Sequence, residues 1–147
     1  MIRKVLIITG MTILIVFLAY LFFIRDSVKI NPGERLLNCD IQNQACTQKI
    51  LDRDITLDIQ PRPVKTMDNL LFSVTVGGPP LSKKPHIDLS MPGMTMGLNW
   101  VFLKIRSPGI YEGTGIIVKC PTGQTIWQAT VTLPEKGTVD FVFNVVD

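Results

Sequence analysis

The chain has 147 residues, which is enough for one domain with a membrane segment but not for two sizeable cores. Its formal net charge of +3 comes from Arg3, Lys4 and Arg25, because residues 26–147 contain 12 basic and 12 acidic side chains. This neutral part excludes an electrostatic basis for nucleic-acid binding, and a single histidine excludes a histidine-rich zinc centre.

An uncharged apolar run of 20 residues, 5–24, comes first. As a helix it spans a hydrocarbon core of about 30 Å, so we predict a transmembrane anchor over residues 1–25. The alternative is a cleaved signal peptide, but its apolar region has about 7–15 residues and ends in small residues. Here residues 21–26 offer no such site. A lipoprotein site at Cys39 is disfavoured because Asn38 is not a small apolar residue.

The charges that flank the apolar run predict its orientation. Arg3 and Lys4 precede it, whereas Arg25 and Lys29 follow it with Asp26 between them. The excess of positive charge on cytoplasmic flanks therefore favours a cytoplasmic N-terminus. We expect a single-pass protein of the bacterial inner membrane, with the rest of the chain in the periplasm.

Residues 26–52 are predicted to be a linker and a cysteine-containing segment. An oxidising compartment favours a disulfide, and Cys39, Cys46 and Cys120 permit three single pairings. A Cys39–Cys46 bond closes a short polar loop, whereas a bond from either residue to Cys120 ties the segment to the following domain. The short separation favours Cys39–Cys46 and leaves Cys120 as a candidate free thiol.

Residues 53–147 carry repeated strand signals separated by Pro and Gly turns. We predict about seven strands, near residues 55–59, 70–76, 85–90, 99–105, 109–119, 125–133 and 138–146. Their alternation is typical of an immunoglobulin-like antiparallel β-sandwich, with Trp127 in its core. Residues 44–52 are compatible with a helical turn or two, and no later stretch shows helical periodicity.

One segment has the composition of a metal site. Met91, Met94 and Met96 lie within six residues around Pro92-Gly93, and His86 lies upstream. Thioethers are soft ligands that select monovalent copper, and an imidazole is compatible with it. The alternative is that these methionines fill irregular gaps between strands.

Three motifs carry a resemblance to a known family: residues 91–97 (MPGMTMG), 108–113 (PGIYEG) and 126–131 (IWQATV). On these motifs the stretch 86–145 resembles the YtkA-like/FixH-like group of membrane-anchored periplasmic domains. The resemblance implies an immunoglobulin-like fold, a role in copper handling or in assembly of haem-copper respiratory oxidases, and the three methionines as ligands. Many members have a histidine soon after the methionine pair, where this chain has residues 97–100 (GLNW).

Two functions are therefore expected from the sequence. The first is an accessory protein that binds or presents copper through Met91, Met94 and Met96, helped by His86 or Cys120. The second is a metal-free interaction module, or a single-span subunit of a membrane respiratory complex. We expect no enzymatic activity, because the carboxylates are scattered and neither a nucleophile motif nor a glycine-rich phosphate loop is present.

Overall fold

The computed structural model describes Phe17, Tyr20 and residues 37–147. Within residues 37–147 the chain forms nine β-strands and no helix. In chain order the strands are β1 Cys46–Ile50, β2 Arg53–Gln60, β3 Leu70–Val76, β4 His86–Ser90, β5 Trp100–Phe102, β6 Lys104–Ser107, β7 Ile110–Gly115, β8 Ile126–Leu133 and β9 Gly137–Asn144.

The strands form two antiparallel sheets. One sheet has the order β1-β2-β3-β7-β6, and the other has the order β5-β4-β8-β9. Residue alternation explains the two layers, because in β2 and β8 every second side chain is buried. The prediction of a mainly β fold with antiparallel sheets is confirmed.

Two parts of the strand prediction were wrong. Residues 46–50 form the edge strand β1, where a helical turn was thought compatible, and they pair with β2 from Cys46↔Leu57 to Ile50↔Arg53. The predicted strand 99–105 is divided at Leu103 between β5 in one sheet and β6 in the other. The first error arises because an edge strand such as β1 needs little alternation of apolar residues. The second arises because a chain that passes from one sheet to the other keeps an almost uninterrupted apolar pattern.

The core lies between the sheets and contains the predicted tryptophan. Trp127 is fully buried and pairs in register with Phe143 of β9. Phe72 and Phe141 are also fully buried, so aromatic rings supply much of the apolar area removed from water. The indole N–H of Trp127 has no hydrogen-bond partner among the described residues.

Glycines allow β5 and β7 to approach each other closely. A Cβ atom added at Gly113 would lie 2.5 Å from the carbonyl oxygen of Phe102, and one at Gly115 would lie 2.6 Å from a methyl group of Val101. Any larger residue at these positions would displace β5. This contact joins the two sheets along one side, directly beneath the side chains of Trp100 and Phe102.

The predicted Cys39–Cys46 disulfide is present, with a Cα–Cα distance of 5.5 Å. The loop it closes is fixed to the sandwich by side-chain hydrogen bonds. The amide of Gln42 donates to the carbonyl oxygens of Val64 and Asn144, at 3.0 and 2.9 Å, and its oxygen accepts the N–H of Val64. The disulfide thus holds in place a segment whose polar sequence predicts no regular structure.

The predicted membrane anchor lies outside the described residues, apart from Phe17 and Tyr20. In the part of the chain that is described, no helix has the length and apolar character needed to cross a bilayer.

Candidate functional site

The methionine segment begins with a tight turn directly after β4. The N–H of Met94 donates to the carbonyl oxygen of Met91 at 3.1 Å, which closes a four-residue turn around Pro92 and Gly93. Gly93 follows the proline of this turn and has φ 77°. This left-handed conformation favours glycine. The Pro-Gly pair therefore explains why the chain reverses here.

The three methionines occupy different environments. Met91 continues the inward-facing alternation of β4 and is only 3% exposed. Met96 is half-buried and packs against the core, while Met94 is 37% exposed. The packing alternative therefore describes Met91, whereas the thioether of Met94 is open to a ligand or a partner.

His86 is not brought to the methionine turn. It begins β4, and Met91 follows the end of that strand, so five steps along the strand of about 3.3 Å each place them roughly 16 Å apart. His86 also belongs to the outward-facing residues of β4, whereas Met91 belongs to the inward-facing set. Its ring lies 5.2 Å from that of Trp100, between centroids.

Two further sulfur-containing residues lie at the same end of the sandwich as the turn. The N–H of Met67 donates to the carbonyl oxygen of Ile117 at 2.8 Å, which joins the loop 61–69 to the loop 116–125. The amide of Gln124 donates to the carbonyl oxygen of Pro92 at 3.4 Å, which joins the second loop to the turn. We call the residues Met67, Met91, Met94, Met96 and Cys120 the methionine end. Sequence spacing gives no sign that Met67 or Cys120 belongs to it.

Cys120 is a free cysteine, and it is buried. Its sulfur lies 3.0 Å from the hydroxyl of Thr122. This hydrogen bond is the main reason that the pKa of the thiol is lowered from its ordinary value, although burial opposes the shift. Backbone N–H groups of Thr122, Gln124 and Gly123 act in the same direction as the hydroxyl. A lowered pKa favours the thiolate, which is the form that binds soft metals.

A second surface feature lies beside the first half of β4, where Phe102 pairs with His86 and Trp100 with Asp88. Trp100 and Phe102 of β5 are 45% and 69% exposed, and their rings meet edge to face with centroids 5.8 Å apart. His86 completes this group through its contact with Trp100. We call His86, Trp100 and Phe102 the aromatic patch. Sequence analysis missed it because Trp100 and Phe102 alternate with the buried Val101 and Leu103, so all four residues are apolar.

The aromatic patch borders a shallow groove of about 310 Å³. The groove runs between β5 and the outer face of β3 and β7, where Leu71 and Thr114 are paired in register. Lys104 and Glu112 also line it, and Glu112 forms an ion pair of 3.7 Å with Arg106. The groove therefore has an apolar wall of aromatic rings and a charged border.

Within the described residues, no group of three or more His, Cys, Asp or Glu side chains is placed to hold a metal ion. The thioethers and the thiol of the methionine end are thus the donor groups to consider. No family of proteins, curated protein or solved structure matches the chain.

Proposed function

We propose that this chain is a membrane-anchored periplasmic accessory protein whose immunoglobulin-like domain presents monovalent copper at the methionine end, in support of a respiratory oxidase or another membrane complex. The observation that carries the proposal is that four methionines and one free thiol lie in loops at the same end of the sandwich, and that hydrogen bonds join these loops. Thioethers and thiolates are the soft donors that monovalent copper prefers.

The strand order supports the immunoglobulin-like part of the proposal. The sets β2-β3-β7-β6 and β5-β4-β8-β9 have the order expected for strands A-B-E-D and C′-C-F-G of that fold, with β1 as an added edge strand. In this assignment the methionine turn lies in the connection between strands C and C′. The apolar run of residues 5–24 supports the membrane anchor.

Burial divides the proposed ligands by role. Met94 is exposed and Met96 is half-buried, so these two residues are the proposed copper ligands. Met91 supports the turn from the core, and its sulfur faces away from the surface. His86 is excluded from the proposed ligand set because it lies at the other end of β4.

Copper titration of the full chain in detergent tests the proposal. A chromophoric chelator that competes for monovalent copper should report one bound ion. The double variant M94L/M96L should lose this binding, while H86N keeps it, because leucine preserves apolar volume but removes the sulfur. Unchanged affinity in M94L/M96L would contradict the proposal.

The exposure of Met67 and Met94, 64% and 37%, favours a second candidate, a metal-free interaction module. Exposed methionines adapt their shape to different apolar partners. In this case the protein should co-purify with a membrane complex after copper chelation, and M67K/M94K should abolish the association. L51K is the matched control, because Leu51 is 75% exposed in the turn between β1 and β2. A purified chain that migrates alone would contradict this candidate.

A further inference from the structure

The aromatic patch is an exposed surface whose rings are fixed in position. Trp100 contacts His86 at 5.2 Å and Phe102 at 5.8 Å, measured between ring centroids. Val101 and Leu103, the neighbours of Phe102 in the chain, are buried, so the backbone of β5 is held by the core. Val101 and Leu103 occupy the inward-facing positions, so Trp100 and Phe102 remain on the exposed face. Large apolar rings that stay exposed in this way indicate a contact surface.

The patch is small for a stable protein interface. An aromatic side chain carries roughly 150–250 Å² of surface, so the exposed parts of Trp100 and Phe102 amount to roughly 250 Å². A specific protein interface buries about 800 Å² on each partner. The patch is therefore suited to a surface near which the domain is already held by a tether. A short tether gives the domain a high effective concentration at that surface, so a small contact area is sufficient.

The chain provides such a tether if residues 5–24 span the membrane, as proposed above. Only residues 25–36 separate the end of the apolar run from Leu37, where the described domain begins. At no more than about 3.5 Å per residue, this linker keeps Leu37 within about 42 Å of the membrane. Leu37 adjoins β9, since the next residue, Asn38, donates its N–H to Val142. That strand is three strand spacings, about 14 Å, from β5, so the tether reaches far enough.

The chemistry of the patch matches the interface between lipid chains and headgroups. Tryptophan is enriched at this depth because its ring is apolar and its indole N–H is polar. Lys104 lies beside Trp100 and Phe102 in the groove, where it can approach a lipid phosphate. The neighbouring charges of Arg106 and Glu112 are paired with each other. Asp88 lies opposite Trp100 in the register, so a carboxylate borders the patch on the side of β4.

We infer that the aromatic patch seats the periplasmic domain on the phospholipid bilayer that anchors the chain. Trp100 and Phe102 enter the interfacial layer, and Lys104 contacts headgroup phosphates. This inference rests on the anchor in the proposed function but not on copper binding. It orients the domain with β5 toward the lipid.

Fluorescence quenching of the full chain in nanodiscs tests the inference. Phospholipids brominated on their acyl chains quench tryptophans that enter the bilayer. The chain has two tryptophans, and Trp127 is fully buried, so it supplies an unquenched background. Wild-type protein should lose emission in brominated nanodiscs relative to unbrominated ones. W100F should show no loss, because only Trp127 remains.

A second pair of variants separates docking from anchoring. F102D keeps Trp100 but places a charge in the patch, so the loss of emission should disappear while the protein stays in the nanodisc. L51D places the same charge at an exposed leucine in the turn between β1 and β2 and should be quenched like wild type. Since Phe102 is 69% exposed, F102D should retain the thermal midpoint of wild type.

Four outcomes would overturn the inference. Equal quenching of F102D and wild type would show that the patch does not determine docking. Absence of quenching in wild-type protein that remains in the nanodisc would show that the domain stays off the lipid. Shielding of Trp100 only after other membrane proteins are added would identify a protein partner instead. A chain that washes off the nanodisc in alkaline carbonate would disprove the anchor itself, which distinguishes that failure from a failure of docking.

Discussion

The methionine end begins directly after β4 and the aromatic patch lies beside its first three residues, and these two apolar features are built differently. At the methionine end, the side chains range from Met91, 3% exposed, to Met67, 64% exposed, so the feature continues into the core. In the patch, the side chains of Trp100 and Phe102 lie on the exposed face of β5, while those of Val101 and Leu103 are buried. Substitution of the buried Met91 should therefore alter stability, whereas substitutions of the exposed Met94 or of the patch residues should alter binding with little effect on stability.

The largest expected effect compares two methionines of one turn. M91A should lower the free energy of unfolding by about 2–5 kcal/mol, because it leaves a cavity in the core. M94A should change it by about 0.5 kcal/mol or less, since Met94 is partly exposed. Urea denaturation of the full chain in detergent, followed by tryptophan fluorescence, measures both. Equal effects of the two variants would show that the core does not continue into the methionine end.

An intermediate effect is expected for the support beneath the patch. G113A should destabilise the fold by about 1–3 kcal/mol, because its Cβ would meet the carbonyl oxygen of Phe102 at 2.5 Å. β5 would have to move, so the emission maximum of Trp100 should shift as well. G97A is the matched control in the methionine segment, where a Cβ meets nothing within 4 Å. If G113A and G97A behave alike, the close approach of β5 and β7 is not what fixes the patch.

The smallest expected effect concerns the charges that join the loops of the methionine end. Asp147 accepts hydrogen bonds from Lys119, at 3.1 Å, and from the Thr66 hydroxyl, at 3.0 Å, and these lower the pKa of its carboxyl group. A lowered folded-state pKa stabilises the fold above the unfolded-state pKa, and this contribution is lost as the pH falls through the folded-state value.

D147N should therefore reduce the thermal midpoint slightly at neutral pH and leave it unchanged in acid, where the wild-type carboxyl is protonated. The side chains of Asp147 and Lys119 are 41% and 60% exposed, so salt should weaken the difference. Thermal melts at neutral and acidic pH, with and without added salt, provide the measurement. A difference that persists unchanged in acid would rule out the ion pair as its cause.

The strands with one wet face were predictable from the sequence because burial follows a period of two. The alternation of Ile55, Leu57 and Ile59 places all three in the core. The same rule fails at Ile105, which is 61% exposed although it continues the alternation of Val101 and Leu103. The chain passes from one sheet to the other after Leu103, and periodicity carries no information about such a transfer.

The candidate site was predictable only in part. A cluster of methionines is visible in sequence, but which side chain faces the core depends on where β4 ends, and Met91, the first residue after β4, continues its inward-facing alternation. His86 seemed close because only four residues separate it from Met91, yet an extended strand carries it to the far end. Met67 and Cys120 join the site through loop contacts that depend on the tertiary fold.

X-ray absorption at the copper edge of the copper-loaded full chain tests the central claim most directly, because it identifies the atoms bound to the metal. The account predicts a shell of sulfur atoms without the outer-shell scattering of an imidazole ring, and a spectrum that is unchanged in H86N. An imidazole in the shell, or a spectrum that M94L/M96L leaves unaltered, would contradict it.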